Sequence, residues 1–208
     1  VTGVQTCALP ISTFTLKELK LIVEVAESSG RKVVAHAASE EGMRRAILAG
    51  VSTIEHGDGG TREIFELMKK HNVALCPTLA AGDAIEQYQG WKKGVDSDPA
   101  RIVKKKKSFQ LVLESGVTIV AGGDVGVFPH GDNVRELEMM VQYGMNPLSV
   151  LQSVTSVNAK AFGYENSIGQ IKNGLLADLI VVDGDPVKNI SNLRKISMVI
   201  KEDRKRVE

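Results

Sequence analysis

The chain has 208 residues, 43% of them hydrophobic, with 26 basic and 25 acidic side chains and a formal net charge of +1. That length allows one sizeable core, or a core with a small appendage. The near-neutral balance gives no electrostatic case for nucleic acid or an anionic membrane as partner. Two cysteines, one in an apolar run, imply no disulfide framework, and the expected setting is reducing and cytoplasmic.

Residues 1–12, "VTGVQTCALPIS", carry no charge and neither helical nor strand periodicity. They lack the basic n-region and cleavage site of a secretory signal. Val1 to Ile11 resembles, residue for residue, one translated frame of a short-read sequencing adapter, so residues 1–12 are expected to be foreign to the fold. From Thr13 the pattern becomes regular. "TFTLKELKLIVEVAESSG" has apolar residues near the 3.6 period and predicts a helix ending at Gly30.

"RKVVAHA" then predicts a strand, and "SEEGMRRAILAG" a helix with Ser39 as cap and Gly50 past its end. The alternation repeats: strand "VSTIEHG", helix "TREIFELMKKH" capped by Thr61 with His71 at its C-terminus, and strand "NVALCPT". Residues 79–100, with Gly, Asp, Pro and the single Trp, predict a loop with at most a short helix. "ARIVKKKKSFQLVLESG" predicts a helix with Lys104 to Lys107 on its solvated face. A strand "VTIVAGGD", a helix "NVRELEMMVQYG" and a further helix or helix pair through Phe162 complete a section of alternating α and β elements. Such alternation implies parallel strands with crossover helices. After Gly163 the short apolar runs broken by "NG" and "DGDP" predict a small β appendage. Four strands are too few to close an eight-stranded barrel, and an open doubly wound sheet stays an alternative.

Chemistry concentrates at strand ends. "VVAH" ends in His36, "TIEH" in His56, and "IVAGGD" in Asp124. The carboxyl ends of parallel strands form one rim, so all three would face one opening. Imidazole and carboxylate suit zinc and similar divalent ions. Singly, each has an ordinary structural explanation, a buried histidine or a turn aspartate; their coincidence on three strands makes the metal reading worth testing. His130 follows on the same rim, as substrate contact or loop packing.

The segments "VVAHA", "EEGMRRAILAGVSTIEHG", "CPTL", "AGGDVG" with "HG", and "GQIKNGLLADLIVVDGDP" resemble the C-terminal part of metal-dependent amidohydrolases, in the imidazolonepropionase-like and Xaa-Pro dipeptidase-like branch. The resemblance covers most of residues 31 to 190. It implies an α/β fold: the C-terminal half of a (β/α)8 TIM-type barrel over residues 13–163, with part of a small β-sandwich over 164–208. It implies that His36, His56 and Asp124 are metal ligands for one or two divalent ions, zinc foremost, and that Asp124 is also the catalytic acid and base. The family's His-x-His pair and its strand-four lysine do not occur in this sequence, so the fragment itself is expected to be inactive.

The implied reaction is hydrolysis of amide or cyclic amide C–N bonds by metal-activated water, on a small-molecule or dipeptide substrate. Tyr88, Trp91 and His130 are expected to shape selectivity, and the full-length parent is expected to be a candidate homo-oligomer, with no nucleic-acid or membrane partner. Two alternatives stay open: a mononuclear deaminase or cyclic-amide hydrolase on the same scaffold, and a catalytically dead half-barrel serving as a binding module.

Overall fold

A computed structural model describes residues 12–202 and, in backbone only, 204–207. Residues 1–11, and with them most of the adapter-like stretch, lie outside the described residues. The first sheet is built from β1 (Val34–Ala37), β2 (Thr53–His56) and β3 (Ala74–Cys76), parallel and in sequential order. Its helices are α1 (Leu16–Ser28), α2 (Glu40–Ala49), α3 (Arg62–Lys70), α4 (Leu79–Tyr88) and α5 (Ala100–Ser115). They are followed by α6 (Val134–Gln142), α7 (Pro147–Gln152) and α8 (Asn158–Phe162).

The expected fourth strand is reduced to one parallel bridge, Leu75 to Ile119, with Leu75 N–H donating to Thr118 O at 2.9 Å and Val120 N–H to Leu75 O at 2.9 Å. The strand order is therefore β1, β2, β3 and then the 118–120 segment, without the reversal that defines a doubly wound sheet. Each neighbour follows its predecessor, as in the wall of a barrel.

Local signals account for the helix starts. Thr15, Ser39 and Thr61 each accept a backbone N–H of their own helix, from Glu18, Gly42 and Ile64. Thr15 and Glu18 form a full capping box. Gly50 ends α2 in the left-handed conformation, as its position past the last helical residue predicts.

Strand alternation divides the sheet into two faces. One face carries Ile54 and Leu75 into the main core, which holds Met43, Ile47, Ile64, Phe65 and Met68 from the helices. Burial of such side chains contributes about 1.5–3 kcal/mol each. On the other face Ala74, Cys76 and Val120 form a smaller cluster, covered by Val157 and Ala161.

Those two covering residues come from the end of a helical run that the sequence marks only as a helix or helix pair. Between α7 and α8 the backbone makes a π-helical turn, Ser153–Val157. Just beyond it, Asn158 clamps the strand segment through both amide atoms: Ala121 N–H donates to Oδ1 at 3.1 Å, and Nδ2 donates to Ala121 O at 2.9 Å. A side-chain amide here replaces the partner strand that Ala121 lacks.

The second sheet is antiparallel, in the order β4 (Leu179–Val182), β5 (Ile196–Lys201), β6 (Arg204–Val207). A 3-10 turn, Ile190–Arg194, joins it to the rest, and Ile190 and Leu193 are buried in the main core. Arg194 fixes the junction with a fork to Glu138, at 2.8 and 2.6 Å, and a third bond to Asp132 at 2.6 Å.

Two local expectations are corrected. Residues 79–88 form a regular helix, α4, whose first six residues are all buried. Gly82 and Asp83 sit inside it because Arg135 and Lys93 pair with the Asp83 carboxylate at 2.5 and 2.7 Å. The lysine run is not a uniformly solvated face: Lys105 is 5% exposed and paired with Asp58.

Candidate functional site

β1 and β2 end side by side, with His36 opposite Glu55 and Ala37 opposite His56. By alternation alone His56 would face away from His36. It does not. The His56 backbone is left-handed, with φ 73°, and the two rings meet edge to face with centroids 4.3 Å apart. Among the described residues five non-glycine positions have positive φ, and three of them, His56, Thr78 and Asp124, stand at carboxyl ends of the parallel strand segments. A β-branched threonine in this region is rare, and such positions cost about 1–3 kcal/mol each. The surrounding structure holds them in place.

For His56 the restraints can be named. Its Nδ1 lies 2.6 Å from Thr78 Oγ1. Its carbonyl accepts from Lys105 Nζ at 2.5 Å, and the next carbonyl, Gly57 O, accepts from Ser108 Oγ at 2.8 Å. Lys105 also binds Asp58 Oδ1 at 2.5 Å, with Arg101 at 3.5 Å from the same carboxylate. One face of α5, through Arg101, Lys105 and Ser108, thus grips the His56–Asp58 turn. Gly57 is required there: its φ is +63°, and a Cβ would stand 2.5 Å from Leu75 Cδ1.

Electrostatics keep the His56 ring neutral. Burial first, then the neighbouring His36 and Lys105, push its pKa down to about 4, against a smaller upward pull from Asp58 and Asp124. Burial also lowers Lys105, opposed by Asp58. Burial raises the Asp58 carboxyl, but Lys105 and Arg101 outweigh it and leave it below the usual carboxylate range. Behind this layer Glu136 of α6, 1% exposed, accepts Leu79 N–H at 2.9 Å and Ala80 N–H at 2.7 Å. Burial lifts its pKa to about 7, against those two donors and Lys105.

The structure brings together two of the three expected ligands, His36 and His56. Asp124 is exposed on the same rim and its charge reaches His56, yet among the described residues no three His, Cys, Asp or Glu side chains converge to hold a metal ion. A pair of imidazoles fits a zinc-type divalent ion as part of a donor set. His36 also lines a groove of about 450 Å³ beside the edge of β1 that is unpaired among the described residues, with Phe14, Leu19, Ala35, Ser39 and Arg45.

The expected selectivity residues stand apart. Tyr88 is 70% exposed at the far end of α4, about 15 Å along the helix from Thr78. Trp91 is half-buried with no hydrogen-bond partner for its Nε1 among the described residues, and His130 is exposed in a turn. No hydrogen bond or ring contact joins any of the three to the histidine pair among the described residues. Sequence reasoning missed Thr78, Lys105 and Glu136. Thr78 carries a visible signal, a hydroxyl residue between a strand and an apolar run, but that signal announces a helix cap and not a histidine partner.

A sequential parallel sheet with histidines at its carboxyl rim is compatible with one wall of a barrel, and comparison with known proteins gives the family. The amidohydrolase family model matches residues 2–205, and the chain belongs to that family. Ochratoxinase of Aspergillus niger is 30% identical over 186 residues, covering 85% of this chain and 38% of that protein. A crystal structure of a Xaa-Pro dipeptidase with methionine bound in its active site is 35% identical, with a TM-score of 0.85, covering 94% of this chain and 49% of that one. The crystal structure of the ochratoxinase superposes with a TM-score of 0.81 at 28% identity, over 92% of this chain and 45% of that chain. This chain therefore spans half or less of the length of these relatives. The shared fold is of the TIM-barrel type. Among the described residues no helix is long and apolar enough to cross a membrane.

Proposed function

We propose that this chain supplies one side of the active site of an amidohydrolase that cleaves the C–N bond of a dipeptide or similar small amide. In this reading residues 13–163 are the C-terminal half of the barrel, and residues 164–208 belong to a small sandwich domain. His36 and His56 are imidazole ligands for a divalent ion, zinc foremost, with Asp124 as third ligand. Such an ion, when bound, acidifies water and polarises a substrate carbonyl.

The rest falls to the chain's own groups. His56 is held neutral, so its ring nitrogen is available without first losing a proton. Asp124, exposed on the rim, takes a proton from the attacking water and returns it to the leaving nitrogen, a transfer that needs hydrogen-bond reach to both. In this reading His130 and the groove lined by His36 belong to the substrate side of the site. The dipeptide assignment is supported by the likeness to the Xaa-Pro dipeptidase.

One observation carries the proposal: the His36–His56 ring contact at the end of adjacent parallel strands, reached only because His56 adopts positive φ. Zinc titration of the chain by calorimetry tests it. Uptake that is lost in both His36→Ala and His56→Ala is the expected result. Uptake unchanged in both variants would overturn the assignment. With only two imidazoles converged, the isolated chain is expected to show no turnover of Xaa-Pro dipeptides, even with zinc.

A further inference from the structure

Helices α1, α2 and α3 begin alike, each with a Thr or Ser at the N-cap whose side chain accepts a first-turn N–H of its own helix. α4 breaks the rule. Thr78 occupies its N-cap, but the side chain makes no bond to the helix, and the residue is left-handed at φ 46°, ψ 50°. Its hydroxyl is instead 2.6 Å from His56 Nδ1.

First-turn N–H groups cannot be left bare in a buried place without a cost of about 1–3 kcal/mol each. At α4 they are not bare. Glu136 reaches across from α6 and accepts Leu79 N–H through Oε1 and Ala80 N–H through Oε2. A carboxylate at the positive end of a ten-residue helix is also favoured by the helix dipole. The capping task has passed from the residue at the cap to a side chain 58 positions later.

From this exchange we infer that Glu136 is a positioning residue for His56. By capping α4 from outside, it frees Thr78 Oγ1 to accept the His56 Nδ1–H and so leaves Nε2 as the ring's free lone pair. Which nitrogen of a histidine offers its lone pair is set by the bond that the other one makes. The role as ligand orienter rests on the proposed function above; the ring geometry itself does not, and it can be read in the metal-free chain.

The experiment is nitrogen-15 NMR of the His56 ring in the metal-free chain near neutral pH, with amide hydrogen exchange at Leu79 and Ala80. Wild type is expected to show a protonated Nδ1 and an unprotonated Nε2. Thr78→Ala should turn this into a mixture of tautomers and leave the Leu79 and Ala80 amides as protected as before, because Thr78 is not their acceptor. Thr78→Ser should restore the wild-type ring signals. Glu136→Gln should produce the same His56 mixture and also speed exchange at Leu79 and Ala80 by roughly tenfold or more.

Should Glu136→Gln fail to fold, the wild-type and Thr78 spectra still decide. A protonated Nε2 in wild type, or loss of Leu79 and Ala80 protection in Thr78→Ala, would overturn the inference. So would unchanged His56 signals in a folded Glu136→Gln. Failure of zinc uptake with the expected tautomer in place would count against the ligand reading and leave the positioning role standing.

Discussion

Replacing Lys105 with Met separates a buried ion pair from an ordinary surface lysine. The Nζ group makes two bonds of 2.5 Å, to Asp58 Oδ1 and to His56 O, and the residue is 5% exposed. Removing one partner of a buried pair costs about 3–5 kcal/mol, because the other charge is left behind. Asp58 would retain Arg101 at 3.5 Å, which places Lys105→Met near the lower end, about 3 kcal/mol. With a urea slope of about 2 kcal/mol per molar, the unfolding midpoint should fall by about 1.5 M. Lys104→Met and Lys107→Met, at exposed positions in the same run, should stay within about 0.5 kcal/mol of wild type. Urea titration followed by circular dichroism measures all three. A Lys105→Met midpoint indistinguishable from the other two would refute the buried-clamp reasoning.

Glu136 makes a pH prediction of definite sign. Its folded-state pKa is about 7 against an ordinary 4.5, so the folded chain binds the extra proton between those limits. Stability owed to this group is full below about pH 4.5 and falls as pH rises towards 7, by at most about 1.4 kcal/mol per pH unit. Glu136→Gln should flatten that part of the profile; equal slopes in both chains would contradict it. Gly57→Ala adds a Cβ 2.5 Å from Leu75 Cδ1 at a φ of +63°. It should destabilise the chain by about 2 kcal/mol or more in thermal unfolding, from overpacking and strain together. Asn158→Ala removes both bonds to Ala121 and should cost about 1–3 kcal/mol, with faster amide exchange at Ala121.

The fold was legible where local chemistry decides it. The caps Ser39 and Thr61 and the turn residue Gly50 are short-range signals, and the structure uses them for the helix ends that the sequence suggests. Reading failed where a distant charge changes what a residue means. Asp83 looks like a loop residue until Arg135 and Lys93 are placed beside it, and Lys105 looks solvated until Asp58 is. The fourth strand is one bridge long because Pro77, next in line on the β3 side, has no N–H to continue the ladder, while Asn158, 37 residues on, bonds the other edge at Ala121.

The site divides the same way. His36 and His56 were visible as strand-end histidines, and the geometry joins them. Their union depends on a positive φ at His56 that no periodicity announces. Thr78 and Glu136 were invisible as partners because each acts through a residue far away in sequence, one on His56 and the other on the backbone of α4.

X-ray absorption spectroscopy of the zinc-loaded chain tests the central claim most directly. The account predicts imidazole scattering from two histidines with Zn–N distances of about 2.0–2.1 Å, and no retained zinc in His36→Ala. A first shell dominated by sulfur at about 2.3 Å, or one without imidazole, would contradict it.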